Sequence, residues 1–256
     1  MVARGRGRDS DTRLSMPRAV RVGLVTIGVG LMTAVRLGRN AGALPTETIA
    51  ALPGDTVSPD ATTVTTRAIE IAAPPEQVWP WLVQMGYGRG GWYAIDALER
   101  ALGVGDFLTG GSADRVVPEL QDLTLGDRVP LSPELHLVVA HLEVAQSLVL
   151  VLPAGPLAWV WSYNLEPTYV PAATPASRSD RASAPYVASR SRGPTDRAGR
   201  SGSGSDGEVT GTRLLVRTRM GAGAGWVRPL VPILEVGHLV MELVQLHRLR
   251  RRVEAQ

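Results

Sequence analysis

The stretch QMGYGRGGWYAIDALE, residues 84–99, has glycines at positions 86, 88 and 91, the G-x-G-x-x-G spacing of some phosphate-binding loops. A dinucleotide fingerprint needs a strand before the glycines, a helix that begins at them, and an acidic residue after the next strand. Here the preceding segment has a helical pattern, and the strands that follow resemble antiparallel hairpins. We therefore predict a tight corner between two helices, which turns Trp92 and Tyr93 inward, and no dinucleotide site.

The predicted strand LHLVVAHLEV, residues 135–144, carries side chains that could transfer protons. By strand alternation His141 and Glu143 share its apolar face, so they form an acid–base pair if that face lines a cavity. The alternative is that they lie at the exposed end of the strand. With Tyr93 they are the weak candidates for catalysis. His136 lies on the opposite face from His141, so one metal ion cannot bind both.

The C-terminal segment offers a second polar set, which consists of Glu235, His238, Glu242 and Gln245. Glu-x-x-His is the spacing of ligands in di-iron helical bundles. Such sites need a second copy of the motif and two further glutamates on facing long helices, and this chain has one long helix of that kind. We interpret the four residues as a polar stripe and predict no metal site.

The composition excludes several kinds of chemistry. The chain of 256 residues contains no cysteine and no lysine. Thiolate metal sites, cysteine nucleophiles and lysine Schiff bases are therefore impossible. The net charge of +3 is small, and the basic residues are concentrated at the two ends and in one polar stretch. We expect no nucleic-acid partner, no metal and no cofactor.

The first 38 residues contain the one segment that suggests a membrane. A basic tail, residues 1–18, precedes an apolar stretch, residues 19–38, which predicts a single transmembrane helix. A signal peptide cleaved near Ala41-Gly42-Ala43 and a soluble or interfacial helix remain alternatives. Because more arginines precede the apolar stretch than follow it, the positive-inside rule predicts that the rest of the chain lies on the extracytoplasmic side.

The remainder of the chain predicts one α+β domain. Residues 39–63 are rich in proline, threonine and alanine without a regular period, which is typical of a linker. Residues 64–253 then show the periods of a strand, two short helices, a run of antiparallel strands and a long C-terminal helix. Residues 168–210 interrupt this pattern with a stretch rich in serine, arginine and glycine, which predicts a disordered insertion at a hairpin tip.

Aromatic side chains are the best candidates for a ligand-binding wall. Trp159, Trp161 and Tyr163 alternate on one face of a predicted strand, and their rings combine apolar area with a polar atom. The other candidate ligand-binding residues are Trp92, Tyr93 and Met241. Ordinary core packing against the last helix is the alternative interpretation of the tryptophans.

Two polar residues of the glycine-rich block, Arg89 and Asp96, are candidates for the mouth of a cavity. The alternative is that they make structural contacts, an arginine–carboxylate contact and a helix cap.

Several segments resemble a known family. They are ATTVTTRAIEIAAPPEQVWPWLVQMGYGRGGWYAIDALE, ADRVVPELQDLTLGDRVPL, TRLLVRTRM and GHLVMELVQLHRLRRR. Together they are similar to bacterial SRPBCC proteins, also described as START-like, Bet v 1-like or polyketide-cyclase-like, in a subgroup with an N-terminal membrane helix. The similarity covers about residues 40–167 and 209–253, and GRGGWY is its more specific part for this subgroup.

The resemblance implies a helix-grip fold, in which a curved antiparallel sheet wraps around the long last helix and encloses an apolar cavity. It implies no catalytic set. We expect the domain to bind a hydrophobic small molecule such as a lipid, a polyketide or an isoprenoid. Two other functions stay open: a polyketide cyclase or dehydratase that uses His141, Glu143 or Tyr93, and a tethered scaffold without a ligand cavity.

Overall fold

The computed structural model describes residues 18–101, 110–153, 155, 157–171, 207–222, 225–226 and 231–256. Its helices are α1 (Arg18–Gly38), α2 (Pro45–Ile49), α3 (Pro75–Val83), α4 (Asp96–Ala101) and α5 (Val231–Val253), with a 3₁₀ turn at Pro118–Leu120. Its strands are β1 (Thr63–Ile71), β2 (Arg128–Pro130), β3 (His136–Glu143), β4 (Ser147–Val151), β5 (Leu157–Pro171) and β6 (Gly207–Ala222). This order agrees with the predicted α+β class.

The six strands form one antiparallel sheet in the order β1-β6-β5-β4-β3-β2. Strands β2 to β5 pair in chain order, and β6 lies between β5 and β1. The long hairpin of β5 and β6 is paired from Leu157 with Ala222 to Pro171 with Gly207. The predicted insertion, residues 168–210, thus begins and ends within these strands, and its residues 172–206 lie outside the described part of the chain.

One face of the sheet, called the inner face, packs against α3 and α5. Successive side chains along a strand point to opposite faces of the sheet, so one row from each strand reaches this face. The core between sheet and helices includes Ile71, Trp81, Leu82, Leu148, Leu214 and Leu246. Burial of this apolar surface is the main force that holds the helices against the sheet.

The other face, called the outer face, is covered by residues 39–61, within the stretch whose composition suggests a linker. Three arginines of β6 donate hydrogen bonds to backbone carbonyls of this stretch: Arg213, Arg217 and Arg219. Arg217 is buried and also contacts the Asp55 carboxylate at 2.7 Å. Because these arginines bind backbone and carboxylate oxygens instead of water, residues 39–61 are packed as part of the domain.

Part of the same stretch covers the free edge of β1. The Thr66 N–H donates to the Arg39 carbonyl at 3.0 Å, and the Ala68 N–H donates to the Ala41 carbonyl at 3.1 Å. Gly42 follows with a φ of 74°, and a Cβ atom there would lie 2.2 Å from the Ala68 carbonyl oxygen. An uncovered strand edge invites pairing with other chains, and this contact occupies it.

The C-terminal end of α1 contacts α5. Val35 is buried, and Gly38 lies so close to α5 that a Cβ atom there would be 2.7 Å from a methyl carbon of Leu239. Within the residues described above, no helix combines the length and the apolar character needed to cross a bilayer.

We expect Gly42→Ala to lower the free energy of unfolding by about 3 kcal/mol or more, because it adds a clash with backbone to the strain of a positive φ. Gly88 is the matched control, since its φ is 64° and, apart from its chain neighbours, no described residue has an atom within 4 Å of an added Cβ. Gly88→Ala should lose only about 1–2 kcal/mol. Urea unfolding measures both, and equal losses would contradict the close packing of this stretch on β1.

Candidate functional site

A cavity of about 210 Å³ lies between the inner face of the sheet and α5, and its wall is almost entirely carbon. The residues that line it are Trp92, Ala94, Leu131, Trp159, Trp161, Gly237, His238, Met241, Glu242 and Gln245. They come from the loop before α4, the position directly after β2, strand β5 and the middle of α5. These segments are far apart in the chain, so the cavity exists only in the folded domain.

Tryptophan side chains form a large part of the wall. The ring centroids of Trp92 and Trp161 are 5.4 Å apart, and those of Trp159 and Trp161 are 5.3 Å apart. Alternation in β5 brings Trp159 and Trp161 to the inner face, whereas Trp92 follows the glycine corner. The three indoles offer contact area to an apolar or aromatic molecule.

A buried ion pair lies beside this wall. The side chains of Arg67, from β1, and Glu242, from α5, are each 1% exposed, and Arg67 Nη1 lies 2.8 Å from Glu242 Oε1. Arg67 Nε also donates to the Gly38 carbonyl at 2.9 Å, and the Thr218 hydroxyl donates to Glu242 Oε2 at 3.1 Å. Each charge is compensated by the other, so Glu242 adds no net charge to the cavity region.

His238 connects the ion pair to the tryptophans. Trp161 Nε1 donates to His238 Nε2 at 2.6 Å. An indole N–H can only donate, so this bond assigns the hydrogen of the imidazole to Nδ1. Burial lowers the pKa of His238 from 6.5 to about 4, although the Glu242 charge acts in the opposite direction. The ring is therefore neutral near pH 7, and Glu242 Oε2, 3.1 Å from Nε2, is a contact without a shared hydrogen.

A second ion pair joins the beginning of α5 to the end of α1. Arg39 Nη2 donates to Glu235 Oε2 at 2.8 Å, and Arg39 Nε bonds to the other carboxylate oxygen. This hydrogen bond raises the pKa of Arg39. All four residues of the predicted polar stripe of α5, including Gln245, are buried. In the described ranges, no three acidic, histidine or cysteine side chains are grouped so that they could hold a metal ion.

The structure brings part of the predicted ligand-binding set together. The members that line the cavity are Trp92, Trp159, Trp161 and Met241. The two tyrosines are buried in the core instead. The Tyr93 hydroxyl accepts a hydrogen bond from Gln84 and donates to the Trp81 carbonyl at 3.1 Å. Burial raises the pKa of both Tyr93 and Tyr163, so their hydroxyls stay protonated.

Arg89 and Asp96 are not among the residues that line the cavity. Arg89 donates hydrogen bonds to the Val83 and Met85 carbonyls, so it holds the end of α3 to the glycine corner. Asp96 accepts hydrogen bonds from the backbone and the hydroxyl of Ser112. Both side chains make structural contacts here.

A β-bulge determines where His141 lies. The pairing of β3 with β4 shifts between Val139 and His141, so that His141 pairs with Val149 on the outer face. There its Nε2 lies 2.8 Å from the Ser147 hydroxyl. Glu143 is exposed at the end of β3. His141 therefore does not share the inner face with Val139, as strict alternation predicts, because the bulge adds one residue.

Arg67 is the residue of this region that the sequence analysis missed. Alternation along VTTRAIEI places it on the same face as Ile69 and Ile71. A charged side chain on a buried face needs a partner of opposite charge, and the glutamates of the last helix were available. The alternation of residues in this strand therefore indicated that Arg67 is buried with an acidic partner. It did not indicate that the partner, Glu242, also contacts His238.

Replacing Arg67 by methionine leaves Glu242 buried without its opposite charge. We expect Arg67→Met to lower the free energy of unfolding by about 3–5 kcal/mol. Adding Glu242→Leu should recover part of this loss, since no buried charge then remains. Arg128→Met, at an exposed position of β2, is the control and should change stability by less than about 0.5 kcal/mol. A double variant no more stable than Arg67→Met, in urea unfolding, would contradict this account.

The buried neutral His238 predicts a pH dependence of stability. Between pH 6.5 and about 4 the unfolded chain binds a proton at this histidine and the folded chain does not, so stability falls as the pH decreases through this interval. His238→Gln should remove this part of the fall. His247 is exposed on the same helix, so His247→Gln should keep the wild-type slope. Urea unfolding midpoints of both variants, measured between pH 6.5 and about 4, test this expectation. Equal slopes of stability against pH in the two variants would contradict it.

The sequence matches no protein-family model and no curated protein.

Proposed function

We propose that this chain is a helix-grip domain of the SRPBCC type that binds a hydrophobic small molecule, such as a lipid, a polyketide or an isoprenoid. The observation that carries the proposal is the apolar cavity of about 210 Å³ between the sheet and α5. Pockets with mostly apolar walls and few polar groups suit such ligands. An antiparallel sheet that packs against a long C-terminal helix supports the helix-grip assignment.

The volume of the cavity limits its occupant. An engineered apolar protein cavity of roughly 150 Å³ binds benzene, whereas drug-sized ligands occupy roughly 300–1,000 Å³. A cavity of about 210 Å³ therefore suits one substituted ring or a short chain. A larger lipid or polyketide would place only its apolar end there.

Two observations favour binding over the alternative functions. A cyclase or dehydratase that used His141, Glu143 and Tyr93 would need at least two of them inside the cavity. They lie instead on the outer face, at an exposed strand end and in the core. A scaffold with a filled core would leave no ligand-sized cavity beside the tryptophans.

We propose separately that residues 19–38 tether the domain to a membrane, with the domain on the extracytoplasmic side. The apolar run and the arginines that precede it support this proposal. Fractionation of the native host cells, followed by alkaline extraction of the membranes, tests it. Recovery of the full chain in the soluble fraction would contradict it.

Native mass spectrometry of the full chain purified from its own host tests the binding proposal, with denaturing extraction to identify any ligand. We expect a stoichiometric apolar molecule. An empty protein whose tryptophan fluorescence is unchanged by a panel of lipids and polyketides would favour the scaffold instead.

Filling the cavity should abolish binding. We expect Met241→Trp to weaken the binding of the co-purified ligand, or of a small aromatic probe, at least tenfold, because the new side chain occupies the space of the ligand. Val240→Trp is the control, since Val240 is the preceding residue of α5 and is 47% exposed. Calorimetric titration compares the two, and equal affinities would exclude this cavity as the binding site.

A further inference from the structure

We infer that the ligand of this cavity is a neutral molecule that carries an oxygen acceptor, and that an unpaired indole N–H of the wall donates a hydrogen bond to it. This inference rests on the proposed binding function and specifies its ligand class. Ketones, esters, ethers and quinones have the required chemistry.

The wall of the cavity contains hydrogen-bond donors that have no acceptor within the described ranges. Nε1 of Trp92 and Nε1 of Trp159 are buried and have no hydrogen-bond partner among the described residues. Both side chains line the cavity. An indole nitrogen carries a hydrogen and cannot accept, so only an acceptor satisfies it. Buried donors without partners are uncommon and unfavourable in folded proteins.

His238 adds to this excess of donors. Its Nε2 accepts from Trp161, so Nδ1 carries the hydrogen, and Nδ1 is also buried without a partner in the described part of the chain. The side chain lines the cavity and is 5% exposed. The wall therefore contains three unpaired N–H groups: those of Trp92, Trp159 and His238.

Among the residues that line the cavity, buried acceptors without a hydrogen bond are fewer than buried donors without one. Of the residues that line the cavity, only Glu242 has a buried oxygen without a hydrogen bond, and that oxygen lies 2.8 Å from the Arg67 guanidinium. A ligand ammonium would thus approach a carboxylate whose charge Arg67 already balances. A ligand carboxylate would have to leave water without meeting a cation, since Arg67 is already paired with Glu242.

A small rearrangement is needed to form the new hydrogen bond. The surface of the cavity is almost entirely carbon, so an indole ring must turn about its Cβ–Cγ bond to bring Nε1 to the ligand. Trp159 is only half-buried, whereas Trp92 is 4% exposed. Because its side chain is the less buried of the two, we assign Trp159 as the principal donor.

The test compares two probes of the same shape. Acetophenone has a carbonyl oxygen where α-methylstyrene has a terminal methylene group, and both match the size of the cavity. Calorimetric titration of the full chain gives the ratio of their dissociation constants. Comparing this ratio between wild type and a variant cancels the difference in hydration of the two probes, as in a double-mutant cycle.

We expect Trp159→Phe or Trp92→Phe to shift the ratio against acetophenone by about three- to tenfold, which corresponds to the loss of one hydrogen bond. The aromatic ring is kept, so α-methylstyrene should bind nearly as before. Trp81→Phe is the matched control, because Trp81 Nε1 is also buried and unpaired but Trp81 does not line the cavity. Its ratio should equal that of wild type.

The outcomes separate this inference from the function on which it depends. If neither probe binds the wild-type chain, the proposed binding function fails and the inference fails with it. If both probes bind and neither indole variant changes the ratio, the cavity binds apolar molecules without an oxygen contact and only the inference is overturned. A change as large in Trp81→Phe would attribute the effect to altered packing and also overturn it.

Discussion

The contact between Arg67 and Glu242 is the constraint on which the arrangement of the domain depends. Two charges in a dry interior are costly unless they lie close together, and here their atoms are 2.8 Å apart. Apolar contacts between a sheet and a helix tolerate small shifts along the helix, whereas this pair requires one register of α5 on β1. In that register His238 reaches Trp161, and the cavity lies beside them.

The cavity is apolar even though a histidine and a glutamate belong to its wall. Arg67 balances the charge of Glu242, and burial keeps His238 neutral, so an entering molecule meets no net charge from either residue. Glu242 contacts Arg67 and accepts a hydrogen bond from Thr218, His238 Nε2 accepts one from Trp161, and the surface of the cavity is almost entirely carbon. This separation explains how a helix with buried polar residues can cover an apolar binding site.

Arginine has different roles on the two faces of the sheet. On the inner face one arginine satisfies a buried carboxylate, while on the outer face the arginines of β6 bind residues 39–61 through backbone carbonyls. The planar guanidinium has five N–H donors, so one side chain can hold several segments together. Contacts at Gly38 and Arg39 then connect the N-terminal segment to β1 and to α5, which covers the cavity.

Periodicity along the sequence determined the class and order of the elements, because alternation in strands and helical spacing depend on neighbouring residues alone. It placed Trp159 and Trp161 on one face of β5, and the glycine corner predicted the inward turn of Trp92. It did not place His141, because the bulge in β3 depends on pairing with β4. Nor did composition show that residues 39–61 pack on the sheet, since their contacts are with arginines more than 150 residues away. The pairing of Arg67 with Glu242, and the cavity itself, were decided by the tertiary structure, because they depend on distances between segments that are remote in the chain.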